Sequence, residues 1–188
     1  SGLSLSYIKS TEQGITIGAT TTLQQLIEAK NVREYADSVL IKAILDSASL
    51  NTRNAASIAG SIVGAAGNSP LLTTLLALDA RLIVRGDRAH EVSVANWVAQ
   101  HGTLILQINL PALAEHTHLA YEKVARTPAD LPIVCVTVRA TTDQHRLTNV
   151  RLALGGVAGK PIVIEQAEST IEQAAQLAAE SIDPPSDY

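Results

Sequence analysis

The spacing of hydrophobic positions changes several times along the chain. Leu3, Leu5 and Tyr7 alternate with Ser4 and Ser6 and lead into Ile8, which predicts a strand. Ile15-Thr16-Ile17 repeats the alternation after Gly14, so the two stretches are expected to form a hairpin. Thr21 or Thr22 then caps a helix through Leu23, Leu26 and Ile27, which fall at i, i+3 and i+4. A longer helix is expected over 32–48, with Leu40, Ala43, Ile44 and Ser47 on one face. Asn51-Thr52-Arg53-Asn54 reads as a polar turn. Pro70 opens a further helix, where its missing N–H costs nothing, and Leu71, Leu75 and Leu78 line its buried side. Strands follow at 81–84 and 103–110, and His90 to Val94 leads on to Trp97.

Past Pro111 the pattern becomes mostly extended. After a polar connection, strands are expected at 119–125, 131–140 and 147–154, the last ending at Gly155-Gly156. An Ala-rich helix covers 168–181. The chain therefore divides near Pro111 into two α+β lobes, 1–111 and 112–188.

Composition narrows the classes. Hydrophobic residues make up 46% of the 188 and charged residues 17%, enough to build a core. Only 3% are aromatic, with no Phe, and the net charge is −4. A nucleic-acid binder needs a basic surface and stacking rings, so that class is set aside. One cysteine precludes an internal disulfide and a Cys-built metal site. Residues 54–78 carry no charge, but Gly67-Asn68-Ser69-Pro70 breaks them midway, so a buried segment is expected and not a membrane span. No signal peptide is read, and a cytoplasmic location is expected. His116 and His118 have only Glu115 as a nearby carboxylate, and His90, His101 and His145 stand isolated; no metal site is assigned. Cys135 lies in an apolar run and reads as a small buried hydrophobe. Gly155 to Pro161 fails the phosphate-loop spacing, and no G-x-G-x-x-G or G-x-S-x-G occurs.

The most informative stretch is Arg53-Asn54-Ala55-Ala56-Ser57-Ile58-Ala59-Gly60-Ser61. A glycine among small hydroxyl residues lets backbone approach a ligand, and bare amides there can hold a phosphate oxygen; tight packing through small residues is the competing reading. The wider pattern resembles the FAD-binding medium subunits of the molybdenum hydroxylases, the xanthine dehydrogenase and carbon monoxide dehydrogenase type. Ile17-Gly18-Ala19-Thr20-Thr21-Thr22-Leu23 is similar to that family's "IGA-x-TT-x-x-L". Arg53-Asn54 with Ser57 to Ser61 resembles "RN-x-x-TIGG[NS]", and Leu75 to Ala80 resembles "LLALDA". Tyr121-Glu122-Lys123 through Asp130 looks like "Y-x-K-x-x-R-x-x-x-D", and Arg151 to Ala158 with Pro161 and Glu168 like "aRialGGVa-x-x-P…aE".

The resemblance implies a vanillyl-alcohol-oxidase-like central FAD lobe followed by a C-terminal lobe with a three-stranded antiparallel sheet and helices. The family's first lobe, with its "AGGT-x-L" loop, has no counterpart here, and the chain reads as part of a longer polypeptide. Ser57, Ile58, Gly60, Ser61, Val63, Ser47, Ala48 and Ser69 fall where the family touches FAD. Ala59 replaces the first glycine of the pair, so its methyl is expected to crowd the pyrophosphate. Pro70 replaces a cofactor-contacting Asp. The flavin carries the chemistry in this family, so no catalytic residue is assigned. An oxidoreductase subunit is implied, receiving electrons from iron–sulfur centres, with an iron–sulfur small subunit and a molybdopterin large subunit as partners in an oligomer. The alternative is a flavin-fold module that has lost FAD and serves as an assembly scaffold.

Overall fold

The computed structural model describes residues 4–97, 103–143 and 146–182. The described residues form two antiparallel sheets. The first has the order β1-β2-β5-β3-β4, from β1 (Ile8–Thr11), β2 (Gly14–Gly18), β3 (Arg81–Arg85), β4 (Ala89–Ser93) and β5 (Leu104–Pro111). The second is the meander β6 (Thr117–Val124), β7 (Val134–Asp143), β8 (Arg146–Gly155) and β9 (Ile162–Ser169). Between β2 and β3 run α1 (Leu23–Glu28), α2 (Lys30–Arg33), a 3-10 turn (Ala36–Ser38), α3 (Val39–Ser47), α4 (Leu50–Ala55), α5 (Ile58–Val63) and α6 (Pro70–Ala77); α7 (Ile171–Glu180) follows β9. This is the expected α+β architecture.

The hairpin forms one step later than the alternation suggested, with Thr11 opposite Gly14. Residues before Ile8 still pair loosely: Gly18 N–H donates to Tyr7 O and Thr20 N–H to Leu5 O. Gly14 takes a φ of +126°, and a Cβ there would lie 2.0 Å from Leu110 O, so the turn into β2 accepts only glycine.

The expected helix over 32–48 is interrupted. Ala36, Asp37 and Ser38 all have positive φ, and the Asp37 carboxylate accepts the Leu119 N–H at 2.9 Å. That tertiary bond to the second sheet outweighs the local helical pattern. From Val39 onward the helix is as read, with Leu40, Ala43 and Ile44 fully buried. The stretch read as a polar turn, 51–54, is inside α4, whose first turn is capped by Ser49 accepting the Thr52 N–H. The second sheet carries four strands, not three. The missed strand, β9, is the apolar run Ile162-Val163-Ile164, and the predicted helix starts only after it, where Thr170 and Gln173 form a capping box.

Two clusters of side chains hold the layers together. The larger joins both sheets: Ile15, Ile17, Leu82, Ile108 and Leu110 meet the helices, Leu119 and Tyr121 of β6 lie on the α3 side, and Cys135 and Ala153 lie on the α6 side. The smaller packs α7 through Ala174 against Ala140, Val150 and Leu152 on the sheet's other face. Helix α6 lies at the centre, buried from Pro70 to Leu71 and from Thr73 to Ala77. Its polar side chains are matched, as Thr74 Oγ1 and Thr137 Oγ1 hydrogen-bond at 3.0 Å. Arg139 and Arg151 donate to its last carbonyls, Leu78 O and Leu76 O. No helix among the described residues is long and apolar enough to cross a membrane. His101 and His145 lie outside the described residues.

Candidate functional site

Two of the sequence motifs are bonded to each other. The Thr21-Thr22-Leu23 segment runs antiparallel to Ala56-Ser57-Ile58: Leu23 N–H donates to Ala56 O at 3.0 Å and Ile58 N–H to Thr21 O at 2.9 Å. Ala59 N–H donates to Ala19 O at 3.2 Å. Thr22 in turn caps α1 in a reciprocal box with Gln25. The two threonines therefore start one helix and help fix the start of another.

The bare-amide bend expected around Gly60 is instead a short helix. Ser57 is its N-cap, and its Oγ accepts the Gly60 N–H at 3.2 Å, while Ser61 N–H donates to Ser57 O at 2.9 Å. All four amides from Ile58 to Ser61 thus have partners. Gly60 itself is exposed, and a Cβ there would meet only Ser57 Oγ, at 3.1 Å. Ala59 is half-buried, and its side chain packs against the core.

A cleft of about 230 Å³ lies beside this helix. It brings together Ser47, Ala48, Ser61 and Ser69, with Pro70 beside Ser69. Ser47 Oγ donates to Ala43 O at 2.7 Å and accepts the Leu71 N–H at 3.2 Å, joining α3 to α6. Ser69 caps α6 by accepting the Leu72 N–H. Ser61 Oγ donates to Ser57 O at 2.9 Å, which leaves the hydroxyl oxygen as an acceptor. Ser57 and Gly60 do not line this cleft. Ile58 is completely buried in the core, and its side chain does not line this cleft. Val63 is 57% exposed and lines a separate cleft of about 220 Å³ with Trp97 and Lys160.

Other wall residues were not singled out from the sequence. Leu23, Thr52, Asn68 and Leu131 all line the first cleft. Arg53 supports it from behind, donating from one guanidinium nitrogen to Ala48 O at 2.7 Å and from Nε to Gln24 Oε1 at 3.2 Å. The polar break at Gly67-Asn68-Ser69-Pro70 was the only local signal for Asn68; Leu131 comes from the other half of the chain and has none. Beneath the cleft, burial pushes the Cys135 thiol above its ordinary pKa. A larger cleft of about 390 Å³ lies on the first sheet around Gln107 and Asn109; it includes Asp79 of the Leu75–Ala80 motif but none of the residues expected to touch FAD.

The residues present suit part of a dinucleotide: hydroxyl and amide groups at Ser47, Thr52, Ser61, Asn68 and Ser69 beside the apolar Leu23, Leu71 and Leu131. Its volume is below the roughly 300–1,000 Å³ of a site enclosing a whole drug-sized ligand, so only a section of FAD fits within these walls. Two lobes share one buried helix, and a small, mainly apolar cleft edged by hydroxyl groups at that helix's start suits it to holding part of a cofactor.

Comparison with known proteins gives the family. The model for the "FAD binding domain in molybdopterin dehydrogenase" matches residues 1–113, and that for the "CO dehydrogenase flavoprotein C-terminal domain" matches residues 119–188. The chain belongs to the FAD-binding subunit family of the molybdopterin dehydrogenases, as an oxidoreductase subunit. It is 24% identical to the glyceraldehyde dehydrogenase medium chain of Sulfolobus acidocaldarius, covering 98% of this chain and 71% of that one. It is 28% identical to subunit alpha of the 6-hydroxypseudooxynicotine dehydrogenase complex of Paenarthrobacter nicotinovorans, over 96% of this chain and 67% of the relative. The fold matches carbon monoxide dehydrogenase of Hydrogenophaga pseudoflava with a TM-score of 0.87 at 23% identity, covering 97% of this chain and 70% of that one.

Proposed function

We propose that this chain is the flavin-holding subunit of a molybdopterin-dependent dehydrogenase, through which electrons pass from iron–sulfur centres to an acceptor. The observation that carries this reading is the cleft that gathers Ser47, Ala48, Ser61 and Ser69 from three separate stretches of sequence. FAD, when bound, supplies the electron-accepting and electron-donating chemistry. The chain's own residues bind and orient it. The Ser69 hydroxyl donates to its oxygens and the Ser61 hydroxyl oxygen accepts from its N–H or O–H groups, while Leu23, Leu71 and Leu131 exclude water from one side. Ser57 and Gly60 act at the edge, where the Ser57 hydroxyl gives way so that the Gly60 N–H can turn to a phosphate oxygen. Val63 touches the cofactor from the neighbouring cleft. Residues 1–111 and 112–188 are the two lobes, a division supported by the first sheet ending at Pro111 and the second beginning at Thr117. An iron–sulfur subunit and a molybdopterin subunit complete the oligomer, in the cytoplasm.

A scaffold that has lost FAD is favoured by one observation: the Ile58–Ser61 amides all have protein partners. Flavin titration separates the two readings. The flavin subunit quenches FAD fluorescence saturably but releases much of the cofactor on desalting, because the cleft encloses only part of it. A scaffold gives no saturable quenching at any FAD concentration.

A further inference from the structure

Asn68 lines the cleft and bonds to the loop that forms its opposite wall. Its Nδ2 donates to Pro132 O at 2.7 Å, and the adjoining Leu131 lines the same cleft. One end of this bond is rigid. Gly156 N–H donates to Gly67 O at 2.8 Å, the Cys135 thiol points to Asn68 O at 3.8 Å, and a Cβ on Gly67 would lie 2.8 Å from Ala158 O. The other end is a span between two anchors. Lys123, itself paired with Asp46 at 2.9 Å, donates to Pro128 O at 2.9 Å, and Ile133 N–H donates to Val124 O at 2.8 Å. Between those anchors, the Asn68 amide is the one hydrogen bond among the described residues that ties the 129–132 span to the first-sheet half. Leu131 is 59% exposed, so packing alone does not fix it.

We infer that Asn68 is a positioning residue, a strut that holds the Leu131 wall at the distance the cofactor requires. This rests on the flavin reading above. The strut works through Pro132 and requires an N–H donor at position 68. An isosteric side chain without that donor fails as fully as a truncated one.

The test compares wild type, Asn68→Ala and Asn68→Asp at neutral pH. FAD binding is followed by fluorescence titration, backbone exchange over 125–133 by hydrogen–deuterium exchange, and folding by thermal midpoint. Loss of one hydrogen bond of this kind predicts FAD affinity about tenfold weaker in both variants. It also predicts faster exchange confined to 125–133 and a midpoint no more than about 6 °C below wild type. FAD affinity unchanged in both variants overturns the strut while leaving the flavin reading intact. Weakening in Asn68→Ala but not in Asn68→Asp also overturns it, since bulk rather than the donor would then be what matters. Failure of both variants to fold assigns Asn68 a purely structural role and overturns the inference. A wild-type chain that binds no FAD overturns the flavin reading. The strut then stands or falls on the exchange data, and unchanged exchange over 125–133 sinks it.

Discussion

Ser57 closes the first turn of α5 through the bond it accepts from Gly60. Removing the hydroxyl in Ser57→Ala should cost about 1 kcal/mol of stability, read as a lower urea midpoint with an unchanged slope. Three other residues set a limit at high pH. Burial raises the Tyr35 and Tyr121 phenols above their ordinary 10.0 and the Cys135 thiol above its ordinary 9.0. Tyr35 also uses its proton to donate to Pro111 O at 2.7 Å. The folded state keeps these protons where the unfolded chain sheds them, so their contribution is complete below about pH 9 and declines above it. Denaturation midpoints should be level from pH 7 to 8.5 and fall steadily by pH 10.5. Of the candidate site, Ser61 drew attention by standing beside Gly60, whereas Ser47, Ala48 and Ser69 were reached only through the family resemblance. The sequence left Asn68 and Leu131 unread because their meeting depends on a fold that brings together positions 63 residues apart. It also misjudged Gly60: small residues in a row signal open backbone, but a serine three residues before a glycine signals a helix cap equally well.

Helix α6 depends on both sheets, and Arg151 is one of its polar ties to the second. Arg151 donates to Leu76 O at 2.8 Å, lies 3.3 Å from Asp79 and pairs with Glu165, while only 8% exposed. Arg151→Met keeps the bulk but strands a helix carbonyl and Asp79, and should lower unfolding free energy by about 2–4 kcal/mol in urea denaturation. The turn after β8 is stricter still. Gly156 has a φ of +82°, and a Cβ would sit 2.0 Å from Ile133 O, so Gly156→Ala should yield little soluble protein. Elements with a strong local period, α1, α6, β7 and β8, were readable from the sequence because pattern and tertiary packing agree there. The break at Ala36–Ser38 was not, because its cause is a bond from Asp37 to Leu119, 82 positions away. Strand β9 was passed over because the Gly155–Pro161 turn and the Ala-rich tail drew the reading toward a loop and a helix.

The two sheets share one core, so neither half is complete without the other. Residues 1–113 expressed alone should present the second-sheet side of α6, with Thr74 and Leu76 uncovered. Dye binding by exposed apolar surface and the lack of a cooperative melting transition would show this; a sharp transition would contradict it. The same arrangement imposes an order on biosynthesis. A ribosome completes α6 and the strands on either side of it in sequence before it has made the meander that shields its far side. At about 5–20 residues per second, the roughly 45 residues from Pro111 to Gly155 take about 2–9 s to appear. During those seconds the nascent polypeptide carries an unshielded greasy rod, and a holding chaperone at the exit tunnel has its greatest effect on yield then.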